Sequence, residues 1–151
     1  MASIQQLQLV VDIEKKKENT LLQHYQTAKQ YVFDNQRKLS GLENYRLEYL
    51  KQIKQKVNQG VGAKTLIQHQ NFVAKLDKAC QQQINIINQG VMAENQRKQQ
   101  WLLQQKKTKA VEALIQKRRI QAQMLEQKKE QKLFDEIASQ RFHRSRSSMG
   151  Y

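Results

Sequence analysis

The chain of 151 residues carries 27 basic and 13 acidic side chains, a net charge of +14. Only 38% of its residues are hydrophobic and 7% are aromatic, which is too few for a broad globular core and favours a narrow buried interface. A single cysteine, Cys80, excludes an internal disulfide and a pair of cysteine metal ligands, and it indicates a reducing compartment. Because the chain has no proline and is rich in Gln, Lys, Leu, Ala and Glu, we expect an all-α fold of long helices.

The first predicted element is a helix over about residues 4–57. Apolar residues recur there at alternating spacings of three and four, which is the heptad pattern of a coiled coil. Eleven of the sixteen positions on this spacing are apolar, against nine of the other 37 positions between residues 4 and 56. The sixteen positions are Ile4, Leu7, Val11, Glu14, Glu18, Leu21, Tyr25, Ala28, Val32, Asn35, Leu39, Leu42, Arg46, Tyr49, Ile53 and Lys56.

A turn is predicted at residues 58–63, where Gly60 and Gly62 interrupt the helical pattern. Glycine can adopt the left-handed conformation that ends a helix, so the chain is expected to reverse direction here. A second, longer helix is predicted over about residues 64–141, with Gly90 as a local weakness inside a continuous helix. Its core positions are Leu66, Val73, Leu76, Cys80, Ile84, Ile87 and Val91.

Together the two helices predict a long antiparallel two-helix coiled coil, a helical hairpin that forms one domain over residues 1–141. If the chain reverses near residue 61, the numbers of facing residues sum to about 121, which places Ile4 opposite Lys117. Glu14 and Glu18 would then face the region of Leu103, Lys106 and Lys107, a polar zone that fixes the register of the helices.

Beyond Lys117 the second helix is expected to overhang the first. The overhang carries basic residues interleaved with apolar ones, and apolar residues on an unpaired helix need a partner. The basic residues are Arg118, Arg119, Lys128, Lys129 and Lys132, and the apolar ones are Ile120, Met124, Leu125, Leu133, Phe134 and Ile137. Residues 142–151, rich in Arg and Ser, are predicted to be a disordered basic tail.

No catalytic or metal-binding pattern accompanies these elements. His24, His69 and His143 are far apart in the sequence, and no spacing typical of a metal site or a phosphate-binding glycine loop is present. A narrow coiled coil also offers no ligand-sized pocket. We therefore expect a protein that is not an enzyme and has no cofactor.

The beginning of the chain lacks the features of a signal peptide, and no apolar run reaches the roughly 20 residues of a membrane span. These features predict a cytoplasmic protein. On its surface, Phe72, Leu76, Ala79 and Gln83 form a stripe just after the turn. Because Val73, Leu76 and Cys80 occupy core positions, Phe72 and Ala79 are expected at the edge of the core, where a half-exposed phenylalanine can contact a partner.

The region around the turn resembles the FliJ family of the bacterial flagellar type III export apparatus. The resemblance is carried by Asn44-Tyr45-Arg46-Leu47-Glu48-Tyr49 before the turn, by Asn58-Gln59-Gly60-Val61-Gly62 at the turn, and by residues 66–76 (LIQHQNFVAKL) after it. It is best over residues 42–83, and chain length, two-helix layout and basic second half agree over the whole chain.

The resemblance implies a stalk-like coiled coil that binds the hexameric export ATPase, the cytoplasmic domain of the export gate and the export chaperones of late substrates. It also implies peripheral association with the inner-membrane export apparatus. The family's gate-contacting stripe falls on Phe72, Leu76 and Ala79, whereas Gln83 departs from the histidine of that stripe. The ATPase ring is then expected to bind the overhang through Arg118, Arg119, Met124, Lys128, Lys129 and Phe134.

Three alternatives remain open at this point. The equivalent stalk protein of a virulence type III secretion system would share the architecture. A basic coiled coil that binds nucleic acid would depend on its Lys and Arg residues, although no aromatic stacking set accompanies the charge. An amphipathic helix on a membrane surface would need a wider apolar stripe than the heptad provides.

Overall fold

The structure of the protein is a computed structural model that describes residues 2–149. It contains two helices, α1 (Ile4–Asn58) and α2 (Ala63–Met149), and no strand in the described residues. The predicted all-α helical hairpin is therefore confirmed. Packing divides the chain into two compact units: unit 1 contains Met1–Lys16 and Gln105–Tyr151, and unit 2 contains Lys17–Gln104.

The turn between the helices depends on Gly60. This residue has a φ of 89°, in the left-handed region that glycine adopts without steric cost. Its amide donates a hydrogen bond to the carbonyl of Val57 at 3.1 Å, which closes the last turn of α1. Gly62 shows no positive φ and instead accepts a hydrogen bond from the amide of Leu66 as α2 begins.

The heptad pattern of α1 identifies its buried face correctly. Of the sixteen predicted positions, all except Lys56 are buried or half-buried. Among the other residues between 4 and 56, only Leu22 and Leu50 are half-buried, and the rest are exposed. The seven predicted core positions of α2 are also all buried or half-buried. Further along α2, the prediction that Leu103 faces α1 is wrong, because Gln104 and Thr108 are the buried side chains there and Leu103 is exposed.

In unit 2 the two helices pair antiparallel with the predicted register. Val32 packs against Gly90, and Asn35 is hydrogen-bonded to Gln83. The residue numbers of these two pairs sum to 122 and 118, close to the predicted 121. The Arg46 guanidinium forms an ion pair with Asp77 at 2.5 Å, and the Tyr25 and Trp101 rings meet edge to face at 5.8 Å. Gly90 lowers helix propensity but also permits close packing of the two helices, because an added Cβ would lie only 3.2 Å from a methyl of Val32.

In unit 1 the start of α1 packs against α2 through a small apolar core. Leu7, Val11 and Ile115 form this core, and Ile4 and Val111 pack against it. Lys15 and Glu112 add an exposed ion pair at 3.3 Å. Ser3 and Gln6 cap α1 reciprocally, because the Ser3 hydroxyl accepts from the Gln6 amide while the Gln6 side chain accepts from the Ser3 amide.

The prediction that residues from Phe142 are disordered is wrong for the part that the structure describes. Helix α2 continues to Met149, while Gly150 and Tyr151 lie outside the described residues. Local contacts support the extension: the Arg146 guanidinium lies over the Phe142 ring, one turn earlier. The hydroxyls of Ser145, Ser147 and Ser148 each donate to the carbonyl three residues before, a bond that a helix can accommodate.

Candidate partner-binding surfaces

An aromatic cluster lies near the turn in unit 2, formed by Tyr45, Tyr49, His69 and Phe72. The ring centroid of Phe72 lies 4.6 Å from that of Tyr49 and 6.4 Å from that of Tyr45. The Tyr49 hydroxyl is hydrogen-bonded to Nδ1 of His69 at 2.6 Å. Residues three or four apart on a helix share a face, so each helix contributes its two rings to the same side.

The stripe predicted to contact the export gate lies beside this cluster. Phe72 and Ala79 are half-buried at the edge of the core, as predicted, while Leu76 is buried between them. Only Phe72 and Ala79 can therefore offer part of their side chains to a partner. Leu76 packs in the core beneath them and holds this stretch of α2 in place.

Gln83, the next position of the stripe, is not available at the surface. Its side-chain amide donates to both the backbone and the side-chain oxygen of Asn35, each at 2.9 Å. The Asn35 side chain in turn donates to the Tyr31 carbonyl at 2.8 Å. Both side chains are buried, so Gln83 joins the two helices and does not extend the exposed stripe.

Tyr45 and Tyr49 were not predicted as site residues, although both belong to the motif that carries the family resemblance. A signal for them exists in the sequence. They are one helical turn apart, and the numbers of Tyr49 and Phe72 sum to 121, which is the predicted register. Tyr45 is 51% exposed, so it enlarges the surface that Phe72 begins.

The second candidate surface is the unpaired segment of α2, which we define as residues 119–149. Every residue from 119 to 148 is exposed. The segment contains seven basic and four acidic residues, and its exposed apolar side chains include Met124 and Phe134. Of the residues predicted to bind the ATPase, Arg119, Met124, Lys128, Lys129 and Phe134 lie in this segment.

Arg118 differs from the other predicted ATPase-binding residues. Its guanidinium donates a hydrogen bond to the carbonyl of Ala2, and its side chain is half-buried. Arg118 therefore joins the first residues of the chain to the last paired turn of α2. Ile4 packs against the core that contains Ile115, in agreement with the expectation that α1 begins opposite about residue 117.

The described residues show little that resembles a reactive centre. No three His, Cys, Asp or Glu side chains within residues 2–149 lie close enough together to hold a metal ion. An open groove of about 540 Å³ in unit 2 is lined by Tyr31, Gly90 and Arg97 among others, but by no carboxylate or cysteine. Cys80 is a half-buried free thiol. Neither described helix contains a stretch that is long and apolar enough to cross a membrane.

Fold and surfaces together define a helical-hairpin protein with a half-exposed aromatic cluster near its turn and a long, exposed, basic helix end. The chain belongs to the FliJ family, because the family model described as "Flagellar FliJ protein" matches residues 3–147. The family consists of non-enzymatic components of the flagellar export apparatus. Searches of curated proteins and of solved structures found no match.

Proposed function

We propose that this protein is a stalk of the flagellar export apparatus, which binds the hexameric export ATPase at one surface and the export gate at the other. The observation that carries the proposal is the family match over residues 3–147, since that range includes both the aromatic cluster and nearly all of the unpaired segment. The protein promotes substrate export by linking the two partners and performs no chemistry of its own.

The gate's cytoplasmic domain binds at the aromatic cluster together with Ala79. Half-exposed aromatic rings in a rigid setting are typical of residues that dominate binding energy, because they bury a large area and lose little rotamer freedom. Phe72 is held by its contacts with Tyr45 and Tyr49, so its free edge is already in place for a partner. Leu76 fixes the helix beneath, and its contribution to binding is indirect.

The ATPase ring binds the unpaired segment. Apolar side chains that are exposed along a helix lose contact with water when a partner covers them, and Met124 and Phe134 supply such area. Arg119, Lys128 and Lys129 attract acidic loops of the ring and speed the encounter. Arg118 acts indirectly in this proposal, because its bond to Ala2 holds the helix end from which the segment extends.

With these assignments, unit 2 contacts the gate and unit 1 contacts the ring. The protein would then be cytoplasmic and associated peripherally with the inner-membrane export apparatus. Export chaperones of late substrates are further partners of such a stalk.

The test is a pull-down of the purified protein with the export ATPase and, separately, with the cytoplasmic domain of the gate. We expect the unmodified protein to retain both partners, and Phe72→Ala and Tyr45→Ala to lose the gate while retaining the ATPase. Tyr31→Ala is the matched control, because Tyr31 is 53% exposed in the same unit but outside the cluster. It should bind both partners normally.

Each failure of this test has a different meaning. If Tyr31→Ala loses the gate as Tyr45→Ala does, the gate-binding surface is not the aromatic cluster. If the unmodified protein binds neither partner but retains DNA at low salt and releases it steeply as salt rises, the net charge of +14 serves nucleic-acid binding and the export proposal is wrong.

A further inference from the structure

The end of the hairpin that contains the turn carries positive charge and no acidic residue. We define this turn end as residues 50–71, which include the last turns of α1, the reversal and the first turns of α2, all within unit 2. It contains four lysines and no Asp or Glu, so the lysines have no counter-charge within it. The lysines are Lys51, Lys54, Lys56 and Lys64, and all four are exposed.

The four lysines lie close to the tip of the hairpin. Helix α1 ends at Asn58 and α2 begins at Ala63. At the helical rise per residue, Lys51 lies about 10 Å from the end of α1, and the other three lysines lie nearer to the turn. This distance is comparable to the Debye length of roughly 8 to 10 Å, so a negatively charged surface that met the tip would attract all four lysines at once.

Apolar side chains are exposed between these lysines. Val57 and Ile67 are 46% and 56% exposed. In the register of the hairpin, where the numbers of facing residues sum to about 121, Val57 lies opposite Lys64 and Ile67 lies opposite Lys54. The turn end therefore presents both apolar and cationic side chains from each of its two helices.

The composition of the turn end is unlike that of a surface that binds protein or nucleic acid. Protein interfaces are depleted in lysine and enriched in arginine and aromatic residues, and the turn end contains no Arg, Phe, Tyr or Trp. Arginine and stacked aromatic rings are also the residues that contact nucleic-acid bases. Lysine is a point charge on a flexible stem, which suits a surface whose negative charges have no fixed positions.

The shape of the tip fits the same kind of surface. Only residues 59–62 join the two helices, and an added Cβ at Gly60 or Gly62 would meet no atom within 4 Å. A groove of about 250 Å³ near the turn is lined by Leu50, Ile53 and His69 among others, but by none of the four lysines. The charges therefore lie on an open end outside this groove, which a flat and fluid surface can meet without a matching cavity.

We propose that the turn end docks on an anionic lipid bilayer, with the tip of the hairpin facing the membrane. The phosphate groups of the lipids attract the four lysines, and Val57 and Ile67 enter the boundary between headgroups and acyl chains. This inference goes beyond the proposed function, and it requires neither the export ATPase nor the gate.

The experiment measures the binding of the full chain to lipid vesicles by co-sedimentation. Vesicles of phosphatidylglycerol mixed with phosphatidylcholine carry negative charge, and vesicles of phosphatidylcholine alone are the neutral control. We expect the chain to bind the anionic vesicles and not the neutral ones. Binding should weaken as the salt concentration rises, because salt screens the attraction between the lysines and the lipids.

Two charge-matched variants locate the contact. The substitutions of the turn-end variant are Lys51→Gln, Lys54→Gln, Lys56→Gln and Lys64→Gln. The control variant carries the same change at four exposed lysines in another stretch without acidic residues, residues 95–111. Its substitutions are Lys98→Gln, Lys106→Gln, Lys107→Gln and Lys109→Gln. Both variants lose four positive charges and so have the same net charge.

We expect the turn-end variant to bind anionic vesicles at least roughly 50-fold more weakly, because each basic residue near an anionic surface contributes about fivefold. The control variant should bind within about threefold of the unmodified chain. Equal losses in the two variants would show that the chain binds through its overall charge, and docking by the turn end would be wrong. Equal binding of the unmodified chain to neutral and anionic vesicles would also overturn the proposal.

A further outcome assigns the lysines to another partner. If the unmodified chain does not bind anionic vesicles, and the turn-end variant loses the gate domain or DNA, the lysines serve a protein or nucleic-acid contact and the lipid proposal is wrong. Because the vesicle experiment contains no export component, its failure leaves the proposed function untouched.

A fluorescence measurement tests the orientation with all four lysines in place. In a Cys80→Ala background, an environment-sensitive dye is attached either at Gln59→Cys in the turn or at Gln99→Cys, and both positions are exposed. Emission from position 59 should shift to shorter wavelength on anionic vesicles, whereas emission from position 99 should not. An equal shift at both positions would show that the helices lie flat on the membrane, which contradicts docking by the tip.

Discussion

Gly90 lies close to α1 in unit 2, where an added Cβ would meet Val32 at 3.2 Å and the Tyr31 ring at 3.4 Å. Valine is stiff at χ1, so Val32 cannot easily withdraw its methyl group. The glycine therefore permits a contact between the helices, at a cost in helix propensity of about 1 kcal/mol relative to alanine. Gly41 in α1 has the same cost but no atom within 4 Å of the corresponding position.

Replacing each of these two glycines by alanine should have a different effect on stability. Gly41→Ala should raise the free energy of unfolding by about 0.5–1 kcal/mol, because it improves helix propensity without any new contact. Gly90→Ala should gain less or be destabilising, because the same improvement is offset by crowding against Val32. Urea unfolding of both variants measures the difference, and equal stabilisation would show that the Gly90 contact has no energetic effect.

A buried hydrogen bond between Gln83 and Asn35 joins the two helices in unit 2. Gln83→Leu alone should lower the free energy of unfolding by about 1–3 kcal/mol, because the buried oxygens of Asn35 lose their donor. The double variant with Asn35→Leu should recover most of this loss, since two apolar side chains can pack without unpaired groups. A double-mutant cycle measured in urea tests this, and additive losses would contradict it.

The sequence allowed the helices to be predicted well because burial leaves a periodic pattern in it. Even Glu14, Asn35 and Arg46 were placed on the buried face of α1, since spacing and not polarity assigned them. The sum of facing residue numbers failed at Leu103, which is exposed while Gln104 beside it is buried, because neighbouring residues change the sum by one but point about 100° apart. The spacing of a short, mostly polar stretch does not fix its phase.

The end of α2 and the aromatic cluster show two further limits of sequence reasoning. Composition predicts disorder from Phe142, whereas α2 continues to Met149. The cluster depends on which residues face one another across the helices. The position of the turn predicts which residues face one another only to within about one helical turn, because long side chains can reach past the residue directly opposite. Tyr45 contacts Phe72 in this way: their numbers sum to 117, whereas directly facing residues are expected to sum to about 121.

The two surfaces belong to different compact units of the molecule, so one can be removed without the other. A chain that ends at Arg118 retains the core of Leu7, Val11 and Ile115 and the bond from Arg118 to Ala2. It loses a segment whose residues 119–148 are all exposed. Because little buried area is lost, the melting temperature should change by less than about 4 °C, the shift that roughly 1 kcal/mol produces in a chain of this size.

The shortened chain should bind the gate's cytoplasmic domain as the full chain does and should no longer bind the ATPase ring. The paired control is the full-length Tyr45→Ala variant, which should retain the ring and lose the gate. This opposite pattern separates the two surfaces, because a general loss of structure would weaken both interactions together. If the shortened chain still binds the ring with its original affinity, the ring contacts the paired part of unit 1 or unit 2, and the unpaired segment serves another partner.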